Sequence, residues 1–282
     1  MLRVCTSSTL SISVYMMPRL WYGFLAAVVL TSGATSTRAQ EYAVDSGRVD
    51  LLPLNFPLFE STSHLVTRRD STLSANARRA AERSSAMRVV VSIGARRLWV
   101  LSGRDTLLDA PVAVGTGRTL KYAGKRWTFT TPLGARTIRA KRSTPFWRPP
   151  DWAYAEVARE HKLKLGTMRA DRPVRLSDGR ELVVRDSLVG IMLPDGFAAL
   201  PVEEHIVFDE TLYVPPHGTR NRLIEGELGL YQLDMGDGYL LHGTPHEESI
   251  GWATTHGCIR LRGYDIEWLF ANVPVGTTVY LY

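Results

Sequence analysis

Two short runs near the C-terminus combine a thiol with histidines, glycines and hydroxyl groups. They read His242-Gly243-Thr244 and Thr255-His256-Gly257-Cys258-Ile259-Arg260. Of the two cysteines in the chain, Cys5 precedes an apolar leader that export would remove, which leaves Cys258 alone. A lone thiol in an exported protein has no partner for an intramolecular disulfide. The runs therefore favour covalent thiol chemistry, with Cys258 as the nucleophile.

A cysteine is suited to exchanging one peptide bond for another without ATP, because a thiolate attacks an amide carbonyl and later leaves the thioester readily. Free cysteine has a pKa near 8.5, so a neighbour must favour the thiolate. We assign this role to His242, at the end of a predicted strand. Gly257 lacks a Cβ, which allows a tight turn and a close approach of substrate. The N–H groups of residues 256–258 are then expected to converge on the oxyanion.

The neighbouring side chains leave several alternatives open. Arg260 either holds a substrate carboxylate or braces the loop through an internal ion pair. His256 contacts substrate, helps to position the thiolate, or packs within the loop, and His246 is expected to be an exposed loop residue. These histidines and Cys258 are also ligands that zinc favours. We nevertheless expect no metal and no cofactor, because structural zinc sites usually combine short ligand spacings with tetrahedral closure.

Residues 1–39 have the layout of a secretory signal peptide. They carry three arginines and no acidic residue, and the apolar run 20–30 ends in small residues. That run is shorter than the roughly 20 residues a membrane-spanning helix needs. Translation starting at Met16 or Met17 is one alternative, and an uncleaved signal anchor is another. We expect a protein exported to the periplasm or cell envelope, without a stable membrane span once the leader is cleaved.

The composition is that of a globular protein, at 45% hydrophobic and 22% charged residues. The formal charge is +6, of which the leader contributes three arginines, and the remaining excess is scattered along the chain. Nucleic-acid binding would require basic residues clustered on one face. Nucleic acid is therefore excluded as a partner.

The elements that must position these residues begin at about residue 88. Residues 40–87 are rich in Ser, Thr, Ala and Arg and predict a flexible or helical spacer, or else a helix docked on the domain. From residue 88 onward, β-branched and aromatic runs separated by glycine turns predict a mainly β fold. The later predicted strands are 182–185, 188–193, 228–233, 239–242 and 277–281. Apolar spacing predicts helices at 152–162 and 264–271.

The order of the motifs resembles the L,D-transpeptidase (YkuD-type) catalytic domain of bacterial cell-wall enzymes. The matching residues are His242-Gly243-Thr244, then Gly251, then the Thr-His-Gly-Cys run, in which Thr255 replaces the commoner serine. Weaker matches to the family pattern are residues 114–117 together with residues 131–134, then Leu228-Gly229, and finally residues 273–279. The resemblance spans about 88–282 and implies a β-sandwich with one or two short helices. Residues 141–222 exceed a minimal domain and are interpreted as an insertion near the active-site cleft.

The resemblance also implies an activity on peptidoglycan stem peptides. Cys258 would attack the carbonyl of the third stem residue, release D-alanine and pass the acyl group to an amine, giving a 3→3 cross-link. His242 would act as base and then as acid, with its other ring nitrogen held by the Gly243 carbonyl. By position, Thr244, Gly251, Thr255 and Arg260 would bind substrate. Four alternatives stay open: an L,D-carboxypeptidase, an enzyme that attaches an envelope protein through a lysine, one that detaches such a protein, and a non-catalytic wall-binding module.

Overall fold

The computed structural model describes residue 64 and residues 67–282. The predicted leader, the start at Met16 or Met17, and most of the predicted spacer lie outside the described residues. Three α-helices occur in the described part: α1 Arg68–Arg83, α2 Asp151–Glu160 and α3 Gly263–Asn272. The predicted helices at 152–162 and 264–271 correspond to α2 and α3.

Twenty strands occur in the described part of the chain. The first eight are β1 Arg88–Ser92, β2 Arg97–Ser102, β3 Asp105–Pro111, β4 Val114–Gly115, β5 Thr119–Tyr122, β6 Lys125–Thr128, β7 Gly134–Thr137 and β8 Ala140–Ser143. The next seven are β9 Lys164–Thr167, β10 Val174–Arg175, β11 Glu181–Arg185, β12 Leu188–Leu193, β13 Gly196–Ala199, β14 Ile206–Phe208 and β15 Thr211–Val214. The last five are β16 Tyr231–Asp234, β17 Leu240–His242, β18 Ala253–Thr255, β19 Ile259–Arg260 and β20 Thr278–Leu281.

Two sheets form the sandwich that was predicted. One has the order β3-β2-β1-β20-β7 and the other β19-β17-β16-β8. Their inner faces share one core, to which Val91, Leu233, Leu241 and Ile259 contribute. Helix α3 packs into the same core through Ile266 and Leu269. The mainly β prediction is confirmed, and the second sheet carries the residues singled out for chemistry.

Helix α1 covers the outer face of the first sheet. Because strand side chains alternate, Val89 and Val91 point into the sandwich, whereas Val90 joins the cluster under α1. On the helix that cluster contains Ala77 and Ala81, both buried and one turn apart. Thr67 and Asp70 form a capping box at the start of the helix. For residues 68–83 the structure therefore has the docked helix, one of the two alternatives for this segment.

The predicted insertion largely forms a second lobe. Its first residues, in β8, pair with β16 and so belong to the sandwich. The remainder contains α2 and two small sheets, ordered β10-β11-β12-β13 and β14-β15-β9. These sheets have a core of their own, which includes Leu182, Val189 and Ile206. Helix α2 packs on β15 through Tyr154.

The later strands lie close to their predicted positions. Strands β11, β12, β17 and β20 match to within one residue at each end. Strand β16 begins at Tyr231 rather than at 228, because Gly229 has a φ of +65° and its N–H donates to the Gly226 carbonyl in a turn. Within residues 64 and 67–282, no helix has the length and apolar character that crossing a membrane requires.

Candidate active site

His242 ends one strand, and Cys258 directly precedes the parallel strand beside it. Strand β17 ends at His242, and β19 begins directly after Cys258, with Leu241 paired to Ile259 and His242 paired to Arg260. Side chains two residues apart on a strand share a face. Extending the alternation of β19 back by one residue would put Cys258 on the face that carries Arg260, the partner of His242. The strand pair thus brings the two stretches that carry the predicted nucleophile and base side by side, and their roles stay predictions.

His242 is buried and held by its own turn. Its Nδ1 lies 2.6 Å from the Gly243 carbonyl oxygen, which can only accept, so Nδ1 carries the proton. This is the contact expected from the position of Gly243, and it leaves Nε2 as the proton acceptor. Burial, together with the nearby charge of Arg260, lowers the pKa of His242 to about 3. The imidazole is therefore neutral at neutral pH.

A close contact between two glycines shapes this turn. Gly229 has a φ of +65°, and a Cβ built on it would lie 2.8 Å from the Cα of Gly243. Any larger residue at 229 would push against the main chain that orients His242. The Leu228-Gly229 match noted in the sequence therefore has a physical function, which is to let the main chain pack behind the His-Gly turn.

The Cys258 thiol is half-buried and donates to the Gly238 carbonyl over 3.7 Å. Burial raises the pKa of Cys258, although the Leu240 N–H and the charge of Arg260 act in the opposite direction. This direction runs against the expectation that a neighbour favours the thiolate, which stays a prediction. The directions of the two pKa shifts favour the uncharged thiol and the uncharged imidazole.

The Thr255 side chain closes the turn that leads to the nucleophile. Its hydroxyl donates to the Cys258 carbonyl at 2.6 Å and accepts the Gly257 N–H at 3.1 Å. This changes one expectation, because a Gly257 N–H bound to a hydroxyl does not point at an oxyanion. Thr255 is buried and uses its hydroxyl within the loop.

Gly257 is required by backbone conformation and by packing. Its φ is +129°, and a Cβ would lie 2.9 Å from the Thr130 carbonyl oxygen and 3.0 Å from the Tyr239 ring. A tight turn and a close approach of substrate were the two reasons expected for this glycine. In the structure the groups that approach it most closely belong to the protein itself.

Replacing Gly257 by alanine is expected to lower acyl transfer by at least about tenfold, because the loop must shift away from Thr130. The same strain should also lower stability by about 1–3 kcal/mol. Gly124→Ala is the matched control, since Gly124 has a φ of +75° with nothing within 4 Å of the added Cβ. It should lose stability but keep its activity, as followed by thermal unfolding and D-alanine release. Full activity in Gly257→Ala would contradict this assignment.

Arg260 forms the internal ion pair that was one of its two alternatives. Its guanidinium lies 3.7 Å from a Glu227 carboxylate oxygen, and both side chains are mostly buried. Its main chain is fixed by two hydrogen bonds with Ala113, at 3.0 and 3.1 Å. Burial raises the pKa of Glu227 against the opposing effect of Arg260. Because Arg260 also lowers the pKa values of Cys258 and His242, its charge faces both reacting groups.

The other predicted binding residues lie in the scaffold around the loop. The Thr244 hydroxyl accepts the His246 N–H at 3.0 Å, and the Gly251 N–H donates to the Val112 carbonyl at 3.2 Å. His246 is partly exposed and lies 3.5 Å from Glu248, in a loop as predicted. Across residues 64 and 67–282, no three potential metal ligands cluster together.

His256 contacts the second lobe. Its Nε2 lies 2.9 Å from a Glu156 carboxylate oxygen, and its ring stacks on Trp152 with 3.9 Å between centroids. Phe129 meets the same ring edge-on at 4.4 Å. Of the three roles considered, these contacts fit a residue that fixes the loop. Sequence reasoning missed Glu156, whose only signal was its spacing of four residues from Trp152 on a predicted helix.

The chain belongs to the YkuD family of L,D-transpeptidase catalytic domains, whose family model matches residues 86–281. It is 49% identical over 55 residues to the probable L,D-transpeptidase YbiS of Escherichia coli K12, a stretch covering 20% of this chain and 18% of YbiS. It is 27% identical over 194 residues to the probable L,D-transpeptidase YcfS of the same strain, covering 68% of this chain and 42% of YcfS. The chain thus spans less than half the length of these relatives.

Solved structures of L,D-transpeptidases are also similar to this chain. One, from Mycobacterium smegmatis, is 16% identical, covers 70% of this chain and 58% of its own, and superposes with a TM-score of 0.37.

Proposed function

We propose that this protein is a peptidoglycan L,D-transpeptidase that uses Cys258 as its nucleophile. The observation that carries the proposal is the parallel pairing of β17, which ends at His242, with β19, which begins directly after Cys258. The hydrogen bond from Nδ1 to Gly243 leaves Nε2 free to take a proton from the thiol. Membership of the L,D-transpeptidase family supports the same reaction class.

In the first half-reaction, Sγ attacks the carbonyl of the third stem residue while Nε2 of His242 takes the thiol proton. The oxygen becomes an anion, for which the N–H groups of His256 and Cys258 are the proposed donors. Collapse of this intermediate breaks the bond to D-alanine, whose amine receives the proton from His242. A thioester remains on Cys258.

In the second half-reaction, the side-chain amine of a second stem attacks the thioester. His242 takes a proton from this amine and returns it to the departing sulfur, which restores the free enzyme. The product is a 3→3 cross-link between two stems, and its formation needs no ATP because the thioester conserves the acyl group. The raised pKa of Cys258 and the lowered pKa of His242 mean that the proton moves only during attack.

The acceptor and the location complete the proposal. With a stem amine as the acyl acceptor the protein is a transpeptidase, and with water it is an L,D-carboxypeptidase. With a lysine of an envelope protein as the acceptor it is an enzyme that attaches that protein. The basic and apolar leader supports export to the periplasm or cell envelope, where stem peptides are found.

Incubation of the mature protein with purified disaccharide-tetrapeptide, followed by mass spectrometry, tests the acceptor. We expect a dimer with the mass of two donors less one D-alanine. Disaccharide-tripeptide alone would indicate the carboxypeptidase, and unchanged donor would indicate a binding module. Either result would overturn the transpeptidase proposal.

A further inference from the structure

One face of helix α2 is directed at the loop that carries the nucleophile. Trp152 and Glu156 are four residues apart and therefore share a side of the helix. Both contact His256, Trp152 by stacking at an interplanar angle of 16° and Glu156 through its carboxylate at 2.9 Å. With Phe129 against the ring as well, His256 is held from three directions. Helix α2 thus determines where this ring lies.

The helix is itself fixed at its start. Arg222 is 2% exposed and donates from Nε to the Pro149 carbonyl at 2.9 Å and from a terminal nitrogen to the Pro215 carbonyl at 2.8 Å. Its other terminal nitrogen pairs with Asp151, the first residue of α2, at 2.8 Å. Lys125 pairs with the same carboxylate at 3.3 Å. Glu156 therefore projects from an anchored element of the second lobe.

His256 is continuous with the backbone that would face the acyl oxygen. It lies between Thr255, whose carbonyl accepts the Thr116 N–H at 2.9 Å, and Gly257, whose N–H is bound by the Thr255 hydroxyl. The contacts of the His256 ring restrain the position of its Cα, so their loss would leave the peptide groups on either side freer to shift. A misplacement of about 1 Å at a reacting centre can cost about 10²-fold in rate.

We propose that Glu156 is a positioning residue for acyl transfer. Through its hydrogen bond to His256 it fixes the 255–258 loop, so that the N–H groups of His256 and Cys258 are directed at the acyl oxygen. The second lobe thereby contributes to catalysis through a single carboxylate. This inference rests on the proposed function, because it concerns the same thiol and the same acyl oxygen.

Two reactions of Cys258 distinguish an effect on the orientation of the 255–258 loop from an effect on the reactivity of the thiol. Acylation by imipenem passes through a tetrahedral oxyanion, whereas alkylation by iodoacetamide displaces iodide and forms no oxyanion. Glu156→Ala is expected to slow acylation by about 10–100-fold while alkylation stays within about twofold. Glu156→Gln keeps an oxygen that accepts the imidazole N–H, so its acylation rate should stay within about fivefold of wild type. Glu160→Ala, at the exposed end of the same helix, is the matched control and should change neither rate.

Both reactions are followed by intact mass, and folding is checked by circular dichroism. If Glu156→Ala unfolds, Glu156→Asp replaces it, because its carboxylate is one methylene farther from His256, and a loss of at least about threefold in acylation is expected. Acylation at the wild-type rate in a folded variant overturns the inference, as does an equal loss in both reactions. Either result leaves the proposed function in place. Wild-type protein that imipenem does not acylate would overturn the proposed function itself.

Discussion

Replacing Cys258 by alanine is expected to reduce D-alanine release from a disaccharide-tetrapeptide by about 10⁴-fold or more, because the substitution removes the proposed nucleophile, the only thiol among the residues that the structure describes. The fold should be retained, since the substitution removes one sulfur from a half-buried position. The hydroxyl of Thr255 bonds to the main-chain oxygen of residue 258, which the substitution leaves in place. Release is measured by mass spectrometry and folding by thermal unfolding.

Cys258→Ser serves as the matched control for this result. It keeps a proton donor of similar size at the same position but lacks the acidity and leaving ability of a thiol, so it should also be inactive. A Cys258→Ala protein that released D-alanine at the wild-type rate would contradict the assignment of the nucleophile.

Replacing His242 by alanine is expected to lower kcat/KM by about 10²–10⁴-fold, because the substitution removes the base that takes the thiol proton. His246→Ala is the matched control, since His246 lies in the neighbouring loop, partly exposed, beside Glu248. It should remain within about twofold of wild type. Equal activities of the two variants, measured by D-alanine release, would rule out His242 as the base.

The buried imidazole also makes stability depend on pH in a defined direction. The folded-state pKa of His242 is lowered to about 3, from an ordinary value of 6.5. Between these values the unfolded chain binds a proton that the folded chain does not, so stability falls as the pH falls from 6.5 towards 3. The contribution of this group is about 1.4 kcal/mol per pH unit within that window. The slope of unfolding free energy against pH should flatten in His242→Ala and persist in His246→Ala.

The nucleophile and the base could be predicted from the sequence because both belong to short local motifs. Cys258 and His242 were assigned from residue type and order, and the structure pairs the strand that follows Cys258 with the strand that ends at His242. The strand runs were also readable, since alternating β-branched residues mark them directly. The local sequence pattern was sufficient to predict an element wherever the contacts that determine it join residues a few positions apart in the chain.

The features that the sequence did not predict depend on contacts distant in the chain or on burial. Glu156 lies 100 residues from His256, and nothing in its local sequence indicates that pairing. Helix α1 docks through Ala77 and Ala81, which do not form the strongly apolar stripe that marks a core-facing helix, so the sequence left a docked helix and a spacer as equal alternatives. Burial in the folded protein raises the pKa of Cys258. The spacing of residues in the sequence does not show which groups will be buried.

The most direct test of whether Cys258 carries the acyl group is to trap the acyl-enzyme. Protein mixed briefly with disaccharide-tetrapeptide is quenched in acid and digested, and its peptides are analysed by mass spectrometry. We expect the peptide containing Cys258 to gain the mass of the donor less D-alanine, and we expect no such adduct in Cys258→Ala. Cross-linked product formed without any adduct on Cys258, or with the acyl group on another residue, would contradict this expectation.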